Sequence, residues 1–257
     1  MKGFSNTYFG ARYYSDNIMQ WLSVDPKSDK YPSTSPYMYC MGNPVMFVDP
    51  DGREPILPFV GSAALFKNLL NNSPRKVGYY KGEQAANYLA SLGNTKFNWN
   101  QMRLVPTETG YFNKKEGRYI YTEKGGWLDM SHFMFYAGRA YQNKINGNNN
   151  PIGDAVQDGY IQERLDRIFA PHSAYSYEDL PSDKYGAEFG AKYFDPNSEK
   201  TFGEQLENYL NNVLKATEPT EAPNYHKLSK DYPDKPSVEN YTTSPYYINK
   251  INNEENN

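Results

Sequence analysis

The chain has 257 residues, 38% of them hydrophobic, and its 27 basic and 30 acidic side chains leave a net charge of −3. That much apolar material can build a core, which excludes wholesale disorder, and the near balance of charge disfavours a protein that grips nucleic acid through its phosphates. The longest apolar run, around Ile56 to Phe66, is interrupted by Pro58, Gly61 and Ser62 and falls short of the ~20 residues of a membrane-spanning helix.

The opening, Met1 to Asn6, turns polar and aromatic at once and lacks the apolar stretch of a signal peptide. Two aromatic, β-prone runs come next, Thr7 to Tyr14 and Ile18 to Val24, flanking Asp16-Asn17 with the spacing of one β-hairpin. Asp25-Pro26, Tyr31-Pro32, Ser35-Pro36, Asn43-Pro44 and Asp49-Pro50-Asp51-Gly52 then force turns at short intervals and exclude a long helix. Asp25 and Asp49, each just before a proline, suit turn initiation.

Five ordered motifs in this region resemble the Rhs repeat-associated core, the end of the YD-repeat cage of bacterial polymorphic toxins. They are Tyr8-Phe9-Gly10-Ala11-Arg12-Tyr13-Tyr14, Trp21-Leu22-Ser23-Val24-Asp25-Pro26, Lys30-Tyr31-Pro32-Ser33, Ser35-Pro36-Tyr37-Met38-Tyr39, and Asn43-Pro44 through Asp49-Pro50-Asp51-Gly52. The resemblance covers about a fifth of the chain. It implies that the residues beyond the last Asp-Pro-x-Gly form a variable toxin, made in the cytoplasm, carried in a cage or by secretion machinery into a target cell, and neutralised by a cognate immunity protein. The chain starts at the last repeat, so it looks like an orphan tip that encapsulates nothing itself. Self-cleavage in the family goes with paired Asp-Pro-x-Gly motifs; the second is intact here, but the first reads Asp25-Pro26-Lys27-Ser28.

Residues 54–75 read as a linker, with a short apolar helix between Val60 and Leu70. Gly82 to Leu92 places Ala85, Leu89 and Leu92 on one helical face, with Gly93 as a cap. Met102 to Pro106 and Arg118 to Thr122 have the composition of a second hairpin. Trp127 to Gln142 is expected as a helix with Trp127, Met130, Met134, Ala137 and Tyr141 as its apolar stripe. A further helix is expected from Asp154 to about Phe169, with Val156, Tyr160, Ile161, Leu165 and Ile168 inward. The last opens at Thr201 with Glu204 as a capping box and carries Phe202, Leu206, Tyr209, Leu210 and Val213. Residues 218–257, with four basic and seven acidic side chains, hold the whole excess of negative charge and are expected as a flexible acidic tail.

Chemistry concentrates in two stretches. In Gly125-Gly126-Trp127-Leu128-Asp129-Met130-Ser131-His132, a helix would put Asp129 and His132 on one face with Tyr136 a turn further on. A carboxylate there orients the imidazole or joins it on a metal, and the glycines would let an anion approach free N–H groups. The second stretch, Glu178-Asp179-Leu180-Pro181-Ser182-Asp183, reads as a loop whose carboxylates supply a general base or metal ligand opposite His132. Glu163 faces away from the apolar side of its helix, where it could approach either stretch but is expected as a surface charge; His172 is expected as a loop or capping residue, and His226 is incidental. Cys40 is a packed small residue, and a single cysteine makes no internal disulfide.

The expected fold class is therefore α+β. A short β-rich Rhs-core remnant over residues 1–53 precedes the linker, a mixed, mainly helical toxin domain over 76–217, and the tail. The expected catalytic set is Asp129, His132, Glu178 and Asp179, with Trp127, Tyr136 and Ser182 binding substrate. A divalent metal on His132 and Asp179 is the cofactor such a set would take. A hydrolase is the first reading. A nuclease or ADP-ribosyltransferase toxin is a second, and a non-catalytic orphan fragment that binds an immunity protein is a third.

Overall fold

A computed structural model describes residues 6–30, 34–42, 44, 49, 52–53, 60–73, 75–93, 117–169, 174–219, 221–222 and 238–246. The chain is α+β and divides into two units, residues 1–60 and 61–257. Among the described residues no helix is long and apolar enough to cross a membrane. The expected strand at 102–106, His172 and His226 lie outside the described residues.

In the first unit, β1 (Asn6–Tyr8), β2 (Tyr13–Ser15) and β3 (Gln20–Trp21) form an antiparallel meander, with Thr7 opposite Tyr14 and Tyr14 opposite Trp21. One hairpin was expected; there are two, because the first aromatic run turns back on itself at Gly10. Its φ of 112° is open to glycine and closed to most side chains. Trp21 is 1% exposed and meets the rings of Phe9, Tyr14 and Tyr39 edge-on at 5.2, 5.7 and 5.3 Å. The Arg12 guanidinium lies 4.3 Å from the Trp21 ring and pairs with Asp25 and Asp49, each at 2.9 Å, while its Nε donates to the Gly52 carbonyl. Asp25 and Asp49 also accept the N–H groups of Lys27 and Arg53, so the turn role expected of them is joined by a buried ion-pair role. Among the described residues, the helical turns after Asp25 in this unit are short 3-10 turns, Ser28–Lys30 and Tyr39–Gly42.

The second unit opens with α1 (Ala63–Asn71), whose N-cap Ser62 accepts the Leu65 N–H. Phe66 and Leu70 are fully buried in the main core, so the stretch expected as a linker contains a core helix. α2 (Gly82–Gly93) buries Ala85, Leu89 and Leu92, as its periodicity requires. β4 (Tyr119–Thr122) and β5 (Gly126–Asp129) then pair antiparallel, with Tyr119 opposite Asp129. Asp129 is the last strand residue and the N-cap of α3 (Met130–Ile145), accepting the Ser131 N–H. The helix expected from Trp127 thus begins three residues later, and Gly125-Gly126 front a strand, with no free helix N-terminus beyond them.

α4 (Pro151–Phe169) starts at a proline, which suits the first helical position because that N–H has no intrahelical acceptor. Its inner face matches the expected one only in part: Val156 and Tyr160 pack against buried residues, but the rest of the stripe does not. Ile161, Leu165 and Ile168 are 45%, 43% and 71% exposed, while Gln162 and Glu163 are buried. α5 (Asp179–Glu188) continues as a π-helical turn through Phe189–Tyr193, and α6 (Phe202–Asn208) continues in the same way through Tyr209–Val213. Both hydrogen bonds of the Thr201–Glu204 capping box are present. Phe202, Leu206, Tyr209 and Leu210 enter the core with Phe133, Phe189 and Phe194.

From Met130 to Tyr141, α3 is buried on almost every side, packing against α2, α4 and α5. Close approach depends on glycine. A Cβ on Gly138 would lie 2.5 Å from the Gly93 nitrogen, one on Gly186 would lie 2.1 Å from the Phe133 carbonyl oxygen, and one on Gly190 would lie 1.9 Å from that of Ala137. Because 186 meets 133 and 190 meets 137, α3 and α5 run parallel in a fixed register, and the start of α5 brings Asp179 and Asp183 to His132.

Part of the expected flexible tail is docked. In Val238–Tyr246, Asn240 is 8% exposed and Glu239 forms an antiparallel β-bridge with Ser176.

Candidate active site

Sequence neighbours and distant residues converge at the start of α3. His132 is 7% exposed, and its Nδ1 lies 2.9 Å from Asp183 Oδ1. Its Nε2 faces Asp179 Oδ1 at 3.4 Å. The imidazole is therefore flanked on both nitrogens by carboxylates of α5, four residues apart and hence on one helical face. Asp179 is fixed in turn by the Ser176 N–H at 2.8 Å. Asp183 needs Gly159 of α4 beside it, since a Cβ there would lie 2.3 Å from Asp183 Oδ2.

The carboxylate expected to orient His132, Asp129, serves another partner. Arg118 Nε donates to Asp129 Oδ1 and Oδ2 at 2.8 and 2.9 Å, and Arg118 Nη2 also contacts Oδ2. This pair is 1% exposed on both sides. The orienting role falls to Asp183, which lies inside the second chemical stretch but outside the expected catalytic set.

The electrostatics follow from burial and pairing. Burial works against a charged imidazole, but Asp183, Asp129 and Glu163 outweigh it and push His132 up to about 9. Burial raises Asp183 to about 6 against the pull of His132. Burial would raise Asp129 as well, but the Arg118 guanidinium holds it down at about 2. Glu163, expected on the surface, is 1% exposed and pushed up to about 7 by burial; its carboxylate accepts the Tyr175 N–H. Raised this far, His132 keeps its proton at neutral pH, with Asp183 and Asp179 on either side of the ring. It can donate a proton through Nε2, with Asp179 beside it to accept one, whereas a general-base role for His132 would first require loss of its own proton.

The other expected residues divide. Tyr136 belongs to the neighbourhood, with its ring 6.4 Å from that of His132 and its buried hydroxyl without a hydrogen-bond partner among the described residues. Ser182 is a strut: its Oγ accepts the Asp129 N–H at 2.8 Å and donates to the Glu178 carbonyl, so it is not placed to bind substrate. Glu178 is the N-cap residue of α5, and it joins this strut through its backbone carbonyl. Trp127 is 2% exposed and packs edge-on against Tyr121 at 5.4 Å, which makes it a hairpin core residue. The stretch expected as a solvated loop, 178–183, is the buried first turn of α5.

Asp129, His132 and Asp179 each offer a ligand atom within 4.8 Å of the others. One imidazole and two carboxylates suit a borderline divalent cation such as zinc. Asp183 on Nδ1 is placed as the outer carboxylate that orients such a histidine. Because Arg118 spans both oxygens of Asp129, a cation there would share that carboxylate with the guanidinium.

The chain matches no family model, no curated protein and no solved structure.

Proposed function

We propose that the chain is the effector end of an Rhs-type polymorphic toxin and that its second unit is a hydrolase working through His132, Asp179 and Asp183. The observation that carries the reading is the α3 imidazole held between Asp179 and Asp183 of α5, a costly arrangement of buried charge that a purely apolar core would avoid. His132 is the proton donor to the leaving group, Asp179 the acceptor from water, and Asp183 the positioning residue. A divalent cation on His132, Asp179 and Asp129 would take the place of the Nε2 proton, so it is an alternative to this proton transfer and would supply Lewis-acid activation of water instead. The delivery part rests on the Rhs-like motifs: Arg12, Trp21, Asp25, Asp49 and Gly52, drawn from three of them, share one buried network. The partner implied is a small immunity protein that binds this chain.

The test is expression of the full chain in unprotected bacteria, directed to the cytoplasm or to the periplasm. The reading predicts growth arrest in at least one compartment, lost in His132→Ala and Asp179→Asn variants that keep the wild-type circular dichroism. Growth arrest undiminished by His132→Ala overturns the assignment. A second reading has the burial of His132 and Asp179 behind it, at 7% and 4% exposed: the charges brace the core of a non-catalytic module that binds an immunity protein. It predicts no arrest in either compartment, together with a lowered melting temperature in His132→Ala.

A further inference from the structure

The stretch 174–177 is held from two sides. On its inner side, the Tyr175 N–H donates to Glu163 and the Ser176 N–H to Asp179, the residue facing His132 Nε2. On its outer side, the Tyr175 carbonyl accepts the Asn240 N–H at 2.9 Å and the Tyr177 carbonyl accepts a hydrogen bond from Asn240 Nδ2 at 3.1 Å. The bridge from Ser176 to Glu239 lies between these bonds. The Tyr241 ring sits 4.6 Å from that of Tyr175, and Tyr246 sits 5.9 Å from Tyr177. Farther along α4, Arg167 reaches the Tyr241 hydroxyl and Glu239. At the other end the segment passes Gly126, where a Cβ would lie 3.2 Å from the Tyr246 carbonyl oxygen.

Val238–Tyr246 therefore runs along the outside of the backbone that fixes Asp179. Its hold is shallow: Asn240 is buried, whereas Val238 and Tyr241 are 36% and 47% exposed. Segments with few buried contacts open locally at much lower cost than the whole fold. We propose that Val238–Tyr246 is an autoinhibitory strap that keeps the Tyr175–Asp179 backbone closed over His132 and Asp179, and that its displacement admits substrate. The strap rests on the hydrolase reading for its biological role, but its effect on the closed backbone can be measured without it.

The experiment is hydrogen exchange on the full chain, wild type against Asn240→Ala, with Tyr241→Ala as a second variant that removes an exposed ring and spares the core. The expected result is exchange at least about tenfold faster over residues 175–179, unchanged exchange over 202–213, and earlier growth arrest on expression. Unaltered exchange over 175–179 in both variants overturns the strap. Faster exchange with growth arrest no earlier than that of a toxic wild type overturns its gating role. If the wild type and the variants are all inert in both compartments, the hydrolase reading falls by itself. The exchange result then decides alone whether the segment closes the backbone over His132.

Discussion

Gly186 sets the distance between α3 and α5, and Gly186→Ala tests whether that distance holds the site together. The added Cβ would lie 2.1 Å from the Phe133 carbonyl oxygen, with backbone on both sides of the contact. An ordinary contact needs at least 3.4 Å, so the helices must separate by more than about 1 Å, and overpacking of this kind costs about 3 kcal/mol, the upper end of its usual range. For a unit of this size each kcal/mol moves the melting temperature by about 2–4 °C, so a drop of about 6–12 °C is expected. The same displacement stretches the 2.9 Å bond from His132 to Asp183, and the imidazole loses part of its support. Thermal unfolding followed by circular dichroism reads the first effect, and an NMR titration of the His132 ring reads the second. A melting temperature within about 2 °C of wild type would refute the argument, since it would mean that the α3–α5 contact is not as tight as the register implies.

His132 should titrate near pH 9 by NMR, and Asp183→Asn should lower that midpoint; a wild-type midpoint below the ordinary value of 6.5 would contradict the flanking geometry. Raised above its unfolded value, His132 contributes stability that is complete below about pH 6.5 and lost as pH rises through 9, and the raised Asp183 and Glu163 favour the same low-pH side. Asp129, depressed to about 2, contributes fully above about pH 4 and loses that support as pH falls towards 2, so these four groups together place their best support near pH 4, and melting temperatures should fall from pH 5 to pH 9. Cys40, 1% exposed and pushed up to about 11 by burial, should resist alkylation at pH 8 until the first unit unfolds; prompt labelling of the native chain would contradict its packing. Thr201→Ala removes one half of the capping box and should cost about 1 kcal/mol in urea unfolding, with no change in growth arrest.

Local features were legible in the sequence. The capping box at Thr201 and Glu204 and the buried face Ala85, Leu89, Leu92 depend on residues within a turn or two of each other, and both are in place. Contacts between distant residues were not. The helical spacing of Trp127, Met130 and Met134 puts Asp129 inside a helix, but it ends a strand and caps the helix, and its carboxylate is taken by Arg118. Amphipathic logic sends Ile161 and Leu165 of α4 inward, whereas the inner face of that helix joins a charged network through Glu163. The start of α5 has the composition of a loop because a helix with Asp179 and Asp183 buried inside it shows no apolar stripe. The signal available for that helix was the pair Gly186 and Gly190, four residues apart, which marks a face made for close helix contact.

Whether His132, Asp179 and Asp183 act together as a working centre is measured most directly by growth arrest from full-length Asp179→Asn beside wild type at equal expression. Wild type is expected to stop growth in at least one compartment, while Asp179→Asn, with an amide unable to accept the proton, folds normally and does not. Equal arrest by the two proteins would contradict the proposed centre.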